Sequence, residues 1–304
     1  MDLLSKLLTH ADWKNDLLWS AAMHCDWGFH FPCERSGGFH IITRGRCYAR
    51  FGQAAPLPLE KGDVLFVLQG VHHDLVSTPR GRAVDVSRLG AAGAKSQPGS
   101  PASVVTGLVS VRYEIPDGPR HPFFQELPER ILVRAADIPV AHPIHTTIAM
   151  IAGEIESGAA SELVVQRLSD VLLYYVLRRW LEIHPGPPSG WVAVFRDQLV
   201  LRVLENIHRD LLQAWTVETL AGSVGVSRAS LAARFKRALG LTVMDYILRL
   251  RLERGRDRLA ASDETLEEIS RAVGYSSAFA FSKAYKRVYG EAPQNTRRNN
   301  RKPA

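Results

Sequence analysis

The 304-residue sequence predicts an α+β chain of two domains, a β barrel with a helical segment behind it and then an all-helical C-terminal domain. Three observations predict this. Short strand-type runs divided by Gly, Pro and Asp fill residues 23–89 (FHIITRG, CYARFG, DVLFVLQG, HDLVS). A helical period replaces them from residue 144. Between the two helical stretches lies HPGPPSG at 184–190, where three prolines and two glycines make a stiff, extended connector.

In chain order, residues 1–20 form a short helix interrupted at Asn15 and Asp16. Strands follow to residue 89, and GAAGAKSQPGSPA at 90–102 reads as a flexible loop. More strand is expected over 104–133 (TGLVSVRYEI), closing the β domain. Helices are expected at 147–155 and 160–182. The second is strongly apolar through Leu163, Leu168, Val171, Leu172, Tyr175, Val176 and Leu181. Part of that surface packs on the barrel, and the rest suits a dimer interface. Beyond the connector, helices are expected at 192–209, 216–224, 227–239, 242–260, 265–273 and 277–289. The divisions are therefore residues 1–135, 136–184 for the helical dimerisation segment, 185–191 for the linker, and 192–304.

Charge is divided as unevenly as secondary structure. Residues 214–304 hold seventeen Lys and Arg against nine Asp and Glu, a net of +8, which leaves −1 for residues 1–213. That is the footprint of a polyanion-binding domain joined to a neutral one. Apolar content of 46% excludes a disordered chain. The N-terminal residues lack a basic flank followed by a long apolar run, and no apolar run reaches membrane-spanning length, so no secretory leader is expected and the expected compartment is the cytoplasm. The odd number of cysteines, Cys25, Cys33 and Cys47, and the expected cytoplasmic setting argue against a disulfide framework, and no CxxC is present.

The last third contains an internal repeat. VETLAGSVGVSRASLAARFKRALG (217–240) aligns with LEEISRAVGYSSAFAFSKAYKRVYG (266–290) after one extra residue in the second turn. Gly225 matches Gly274, Leu231 matches Phe281, Phe235 matches Tyr285 and Gly240 matches Gly290. Each copy reads as a short helix, a glycine turn, a Ser cap (Ser227 or Ser277) and a second helix. An apolar stripe of Leu231, Phe235 and Leu239, or of Phe281 and Tyr285, holds that second helix down. Its other face is small and basic. That is a helix-turn-helix with its reading helix presented outward. The joining segment 242–259 carries five arginines, and Leu248, Leu252 and Leu259 are expected to stitch both units together. Gly255 is a weak point in that helix, about 1 kcal/mol worse than Ala. Rigid joining matters because two reading helices must enter major grooves one DNA turn apart, roughly 34 Å.

Residues 194–298 resemble the DNA-binding domain of the AraC/XylS family, on LAGSVGVSRASLAARFKRALG, YILRLRLERGRDRL and EISRAVGYSSAFAFSKAYKRVYGEAPQNTRR. The resemblance implies a transcription regulator that grips double-stranded promoter DNA through both units, and contacts RNA polymerase where it activates. Three departures stand out: Ser270 replaces the usual Ala, Arg234 lies one place beyond a frequent Arg at Ala233, and Gln-Asn-Thr-Arg follows Pro293. By position, the first unit offers Arg228, Ala229, Ala232, Ala233 and Lys236 to the groove. The second offers Ala278, Phe279, Ser282, Lys283 and Lys286. Alanine can read only a thymine methyl or shape. Arg228 and Lys283 are the leading base readers. Arg237, Lys286, Arg287 and Arg297 are expected phosphate clamps, with Arg234 beside them.

GFHIITRGRCYARFG and LEKGDVLFVLQGVHHDLVS have the rhythm of a cupin, a small jelly-roll barrel. Residues 1–135 are similar to the sensor domains of AraC-type regulators, and their start, MDLLSKLL, is similar to that of the group including reactive-chlorine-responsive members. Cupin enzymes hold a metal with about four ligands, as the fold family implies; the sequence leaves a divalent metal here as one open reading. His40 and His73 are the candidate ligands, with His30, Glu34 and Cys47 as supplements and His72 on the opposite face. A structural histidine pair and a small-ligand contact are the other readings. Cys25, Cys33 and Cys47 are candidate redox thiols. The expected function is an effector-responsive, DNA-binding transcription regulator without enzymatic activity. The alternative is a cupin metalloenzyme, of dioxygenase or isomerase type, fused to a DNA-binding module.

Overall fold

Antiparallel pairing organises the N-terminal half. Ten strands are found among the described residues: β1 (Lys14–Met23), β2 (Gly28–Phe31), β3 (Ser36–Arg44), β4 (Arg46–Arg50), β5 (Leu57–Glu60), β6 (Val64–Val67), β7 (His73–Val76), β8 (Val84–Asp85), β9 (Thr106–Glu114) and β10 (Arg130–Val133). They form two five-stranded sheets, ordered β1-β9-β3-β6-β10 and β5-β4-β7-β2-β8. The computed structural model describes residues 2–11, 13–23, 26–33, 36–68, 70–86, 106–115, 121–156, 161–184 and 189–300. The loop expected at 90–102 and Cys25 lie outside them. The chain divides into two units, Leu4–Pro185 and Gly186–Ala304 with Met1–Leu3.

The sheets share one core. Ile42, Leu65, Val67 and Leu108 come from the first sheet, and Phe31, Cys47, Ala49, Leu59 and Leu75 from the second. Alternation explains it, because residues two apart on a strand face the same way. The first sheet is buried on both faces. Phe39 and Ile41 point away from that core and are fully buried too. Phe39 packs on Phe66 and Tyr113 at 4.8 and 5.6 Å between rings. Helices α3 (Pro143–Glu156) and α4 (Glu162–Ile183) lie against this sheet at β1, β3 and β10. Asn15 and Tyr113 both donate to the Asp170 carboxylate of α4, at 2.6 and 3.4 Å.

Two expectations need correction here. The N-terminal helix, α1 (Leu3–Ala11), stops early, and residues expected as helix become β1. β1 pairs with β9 along its whole length, and a register shift between Leu17 and Trp19 breaks the strand alternation that would have revealed it. Residues 104–133 are not all strand, since α2 (Pro122–Glu126) separates β9 from β10.

The second unit is helical: α5 (Trp191–Val194), α6 (Gln198–Arg209), α7 (Val217–Ser223), α8 (Arg228–Leu239), α9 (Val243–Ala261), α10 (Leu266–Ala272), α11 (Ala278–Tyr289) and α12 (Pro293–Asn300). The single helix expected at 192–209 is two, because Asp197 caps a new start by accepting the Leu199 and Val200 N–H groups. Gly190 and Trp191, expected in the linker, belong to this unit. The Gly190 N–H donates to the Ala238 carbonyl at 2.7 Å, and Trp191 is buried. Helix α12 was not foreseen. No helix among the described residues is long and apolar enough to cross a membrane.

Candidate functional site

The two copies of the repeat fold alike, down to single hydrogen bonds. Both first helices, α7 and α10, open with a capping box, Thr216 with Thr219 and Thr265 with Glu268. Gly225 and Gly274 turn the chain at φ of 74° and 79°, a region that favours glycine. The next N–H, of Val226 or Tyr275, donates back to Ala221 or Ser270. Ser227 and Ser277 then cap α8 and α11, accepting from Ser230 and Ala280 N–H at 3.2 and 3.1 Å. Leu231, Phe235, Phe281 and Tyr285 are fully buried. Both second helices end on left-handed glycines, Gly240 and Gly290. Ser270 is buried as well, and its hydroxyl donates to the Glu267 carbonyl.

The outward faces differ. In α8 the exposed positions carry Ala229, Ala232, Ala233, Lys236 and Arg237, and in α11 the equivalent positions carry Phe279, Ser282, Lys283, Lys286 and Arg287. Ser282 is half-buried and the rest of that set is exposed; Ala278, one turn before Ser282, is half-buried. No ion pair with an acidic side chain forms at Lys236, Arg237, Lys283, Lys286 or Arg287 among the described residues. Arg228 sits 3.9 Å from Glu218 with both side chains largely in water, so the pair is weak.

Arg234 and Arg297 both have partners within the protein. Arg234 is exposed and lies 3.7 Å from Asp197 of α6. Arg297 is half-buried on α12 and donates to the Glu264 carbonyl. Thr296 beside it is buried, hydrogen-bonded to the Tyr285 hydroxyl and the Glu291 carboxylate at 2.8 Å each. This end of the chain therefore anchors α11 from behind.

The joining helix α9 is divided between the units. Its N-terminal half meets the first through Tyr246, whose ring lies 5.8 Å from Phe235 and whose hydroxyl is 2.7 Å from His208 Nε2. Leu248, Leu252 and Leu259 all pack with the second unit's core and do not bridge the two. The bridge is Arg251, which sequence reasoning missed. Its guanidinium donates to the Leu211 and Gln213 carbonyls before α7 and, at 3.4 Å, to the Gly274 carbonyl in the second unit's turn. Gly255 is likewise no weak point. A Cβ there would lie 2.6 Å from the Phe281 ring, so α9 needs glycine for α11 to approach.

In the β unit, His40 and His73 meet between the sheets. His40 stands opposite Ser110 on the neighbouring strand, and His73 opposite Phe31. Their Nε2 atoms are 2.6 Å apart, and both side chains are buried. One proton order satisfies every atom. The Val71 carbonyl only accepts, so His73 Nδ1–H donates to it at 2.9 Å. Neutral His73 then accepts at Nε2 from His40 Nε2–H, and His40 Nδ1 accepts from the Ser110 hydroxyl at 2.8 Å. Burial holds both rings neutral, His40 well below the ordinary histidine range and His73 at about 4. Phe31 and Phe51 stack on His73 at 5.1 and 5.6 Å.

A metal does not fit these residues. Two imidazole nitrogens on one tetrahedral ion stand ~3.3 Å apart, and here one Nε2 carries the proton and the other's lone pair accepts it in a direct hydrogen bond. No cluster of three or more potential ligands forms among the described residues; Glu34 lies outside them. His30 instead pairs with Asp74 at 2.7 Å, where Arg50 also donates, and stacks on His72. The redox expectation also changes. Cys47 is fully buried and its thiol is pushed up to about 12, while burial raises the half-buried Cys33, so neither is an exposed thiolate.

Comparison with known proteins agrees with both halves. A cupin family model matches residues 2–182, and a helix-turn-helix domain model matches residues 220–299. The protein is thus a cupin domain joined to a helix-turn-helix domain. Across 98% of its length it is 31% identical to a Streptomyces lividans protein described as an AraC-like transcription regulator, 99% of which is covered. A second such protein, from Streptomyces antibioticus, is 30% identical with the same coverage. The HTH-type transcriptional regulator MtrA of Neisseria gonorrhoeae is 28% identical over 98% of each chain. The chain belongs to the AraC-like transcription regulators.

Proposed function

We propose that this regulator grips promoter DNA with α8 and α11 in successive major grooves, under the control of an effector sensed by the cupin domain. The observation that carries the reading is the pair of similarly built helix-turn-helix units whose outward faces hold Lys236, Arg237, Lys283, Lys286 and Arg287 with no acidic partner among the described residues. Lys283 and Arg228 read bases. Lys236, Arg237, Lys286 and Arg287 hold phosphates, the serine caps Ser227 and Ser277 present the helix starts, and Ala229, Ala232, Ala233, Ala278 and Ser282 let the backbone approach. Arg234 stays exposed beside Asp197, and Arg297 supports the fold through the Glu264 carbonyl.

The two sheets are taken as a jelly roll whose interior is closed by the neutral His40–His73 pair. The chain acts without enzymatic chemistry. It works in the cytoplasm as a homodimer. Support for the dimer is apolar surface left in water on the helix pair: Leu163 at 61% exposure, Val171 at 43% and Met150 at 53%. An effector that prefers one arrangement of the sensor shifts the population able to bind DNA, and at activated promoters the bound dimer recruits RNA polymerase. The test is selection of duplexes from random-sequence DNA by the full-length protein, followed by salt titration. Enrichment of a two-part site with salt-dependent affinity is expected. Absence of enrichment and of salt dependence would overturn the reading.

A further inference from the structure

Phe279 has no role inside the fold. It is the second residue of α11, and its ring is 79% exposed. The core positions of this helix are filled by Phe281 and Tyr285, both fully buried. Lys283 follows Phe279 by four residues and Lys286 by seven, so all three share one face of the helix. A large apolar ring set among unpaired cations does not suit an apolar protein groove, which would have to desolvate the lysines. It suits a surface that offers negative charge at its edges and one apolar group at its centre.

The major groove of DNA has that composition. Its walls are phosphate, and the one apolar group on its base edges is the 5-methyl of thymine. The first turn of a reading helix is the part that reaches base edges. A phenyl ring has no donor or acceptor, so it can select among base pairs only through that methyl. We propose that Phe279 reads the 5-methyl group of a thymine in the half-site bound by the second unit. This rests on the DNA-binding function proposed above. The equivalent residue of the first unit is Ala229, which is too short to enclose a methyl group to the same extent.

The experiment uses the full-length protein and a duplex it selects from random-sequence DNA. Each thymine is replaced in turn by uracil, which keeps every hydrogen-bonding group and removes only the methyl. One or two replacements in a single half-site are expected to weaken binding about fourfold each. F279A should bind the parent duplex at least as weakly and lose the difference between thymine and uracil there, while F279L keeps part of it. Equal wild-type affinity for the thymine and uracil duplexes at every position overturns the proposal, and selective, salt-dependent binding in that same assay would leave the DNA-binding reading standing. If F279A retains affinity and discrimination but loses activation in a transcription assay, the ring meets polymerase and the proposal also falls.

Discussion

The two helix-turn-helix units are nearly the same object seen from inside and different objects seen from the groove. Capping boxes, turn glycines, serine caps and left-handed stops recur at matching positions. On the outside, Ala229, Ala232 and Ala233 of α8 face Phe279, Ser282 and Lys283 of α11 in the alignment. The scaffold is constrained by packing and backbone hydrogen bonds, which tolerate little change. The reading face is constrained by its ligand alone, and there the copies have diverged. By the function proposed above, the second unit holds most of the side chains that choose among bases, and the first adds Arg228. The first holds a small, close-fitting surface with cations at its border.

The scaffold half of this comparison can be broken most severely at Gly255. Replacing it by Ala should destabilise the helical unit by about 1–3 kcal/mol, despite the gain of about 1 kcal/mol in helix propensity, because the new methyl meets Phe281. Denaturant unfolding measures it, and a more stable variant would contradict the packing described. Lys283→Ala should weaken promoter binding by about 1–3 kcal/mol and relax base preference at one position. The matching substitution in the first unit, Ala233→Lys, is the counterpart: a new base preference in the other half-site would show that the scaffold alone makes a position readable.

Arg251→Ala should act on the relation between the units. Loss of its carbonyl contacts is expected to lower stability by about 1–2 kcal/mol and to widen the range of half-site spacings that bind well. An unchanged spacing preference would move the rigid coupling elsewhere in α9. The smallest effect belongs to Lys236→Ala, which should lower affinity evenly across sequences and reduce the salt dependence by about one ion. A base-specific change there would make Lys236 a reader beside Arg228.

The repeat was legible because it is local. Each unit needs a cap, a turn glycine and an apolar stripe within about two dozen residues, and one sequence displays all of them. What joins the units was not. Arg251 looks like any arginine in a basic helix until the Leu211, Gln213 and Gly274 carbonyls converge on it. Gly255 looks like a flaw until Phe281 lies against it. The charge count was right about the region and generous about its residues. Arg258 is taken by Glu264, Arg256 lies over the Tyr289 ring, Arg234 lies beside Asp197, and Arg297 donates to the Glu264 carbonyl. In the β unit the sequence leaves the roles of His40 and His73 open, and only their 2.6 Å separation distinguishes a hydrogen-bonded pair from ligands of a metal. β1 was misread because its bulge hides the period.

The central claim is the division of labour between α8 and α11. The affinity of the full-length protein for every single-base variant of a selected site tests it most directly. Penalties of about 1–3 kcal/mol should gather at several positions of one half-site, and the one at the position read by Lys283 should vanish in the Lys283→Ala protein. The other half-site should be nearly flat, with no more than the position met by Arg228 standing out. Equal penalties across both half-sites, unchanged by Lys283→Ala, would contradict the account.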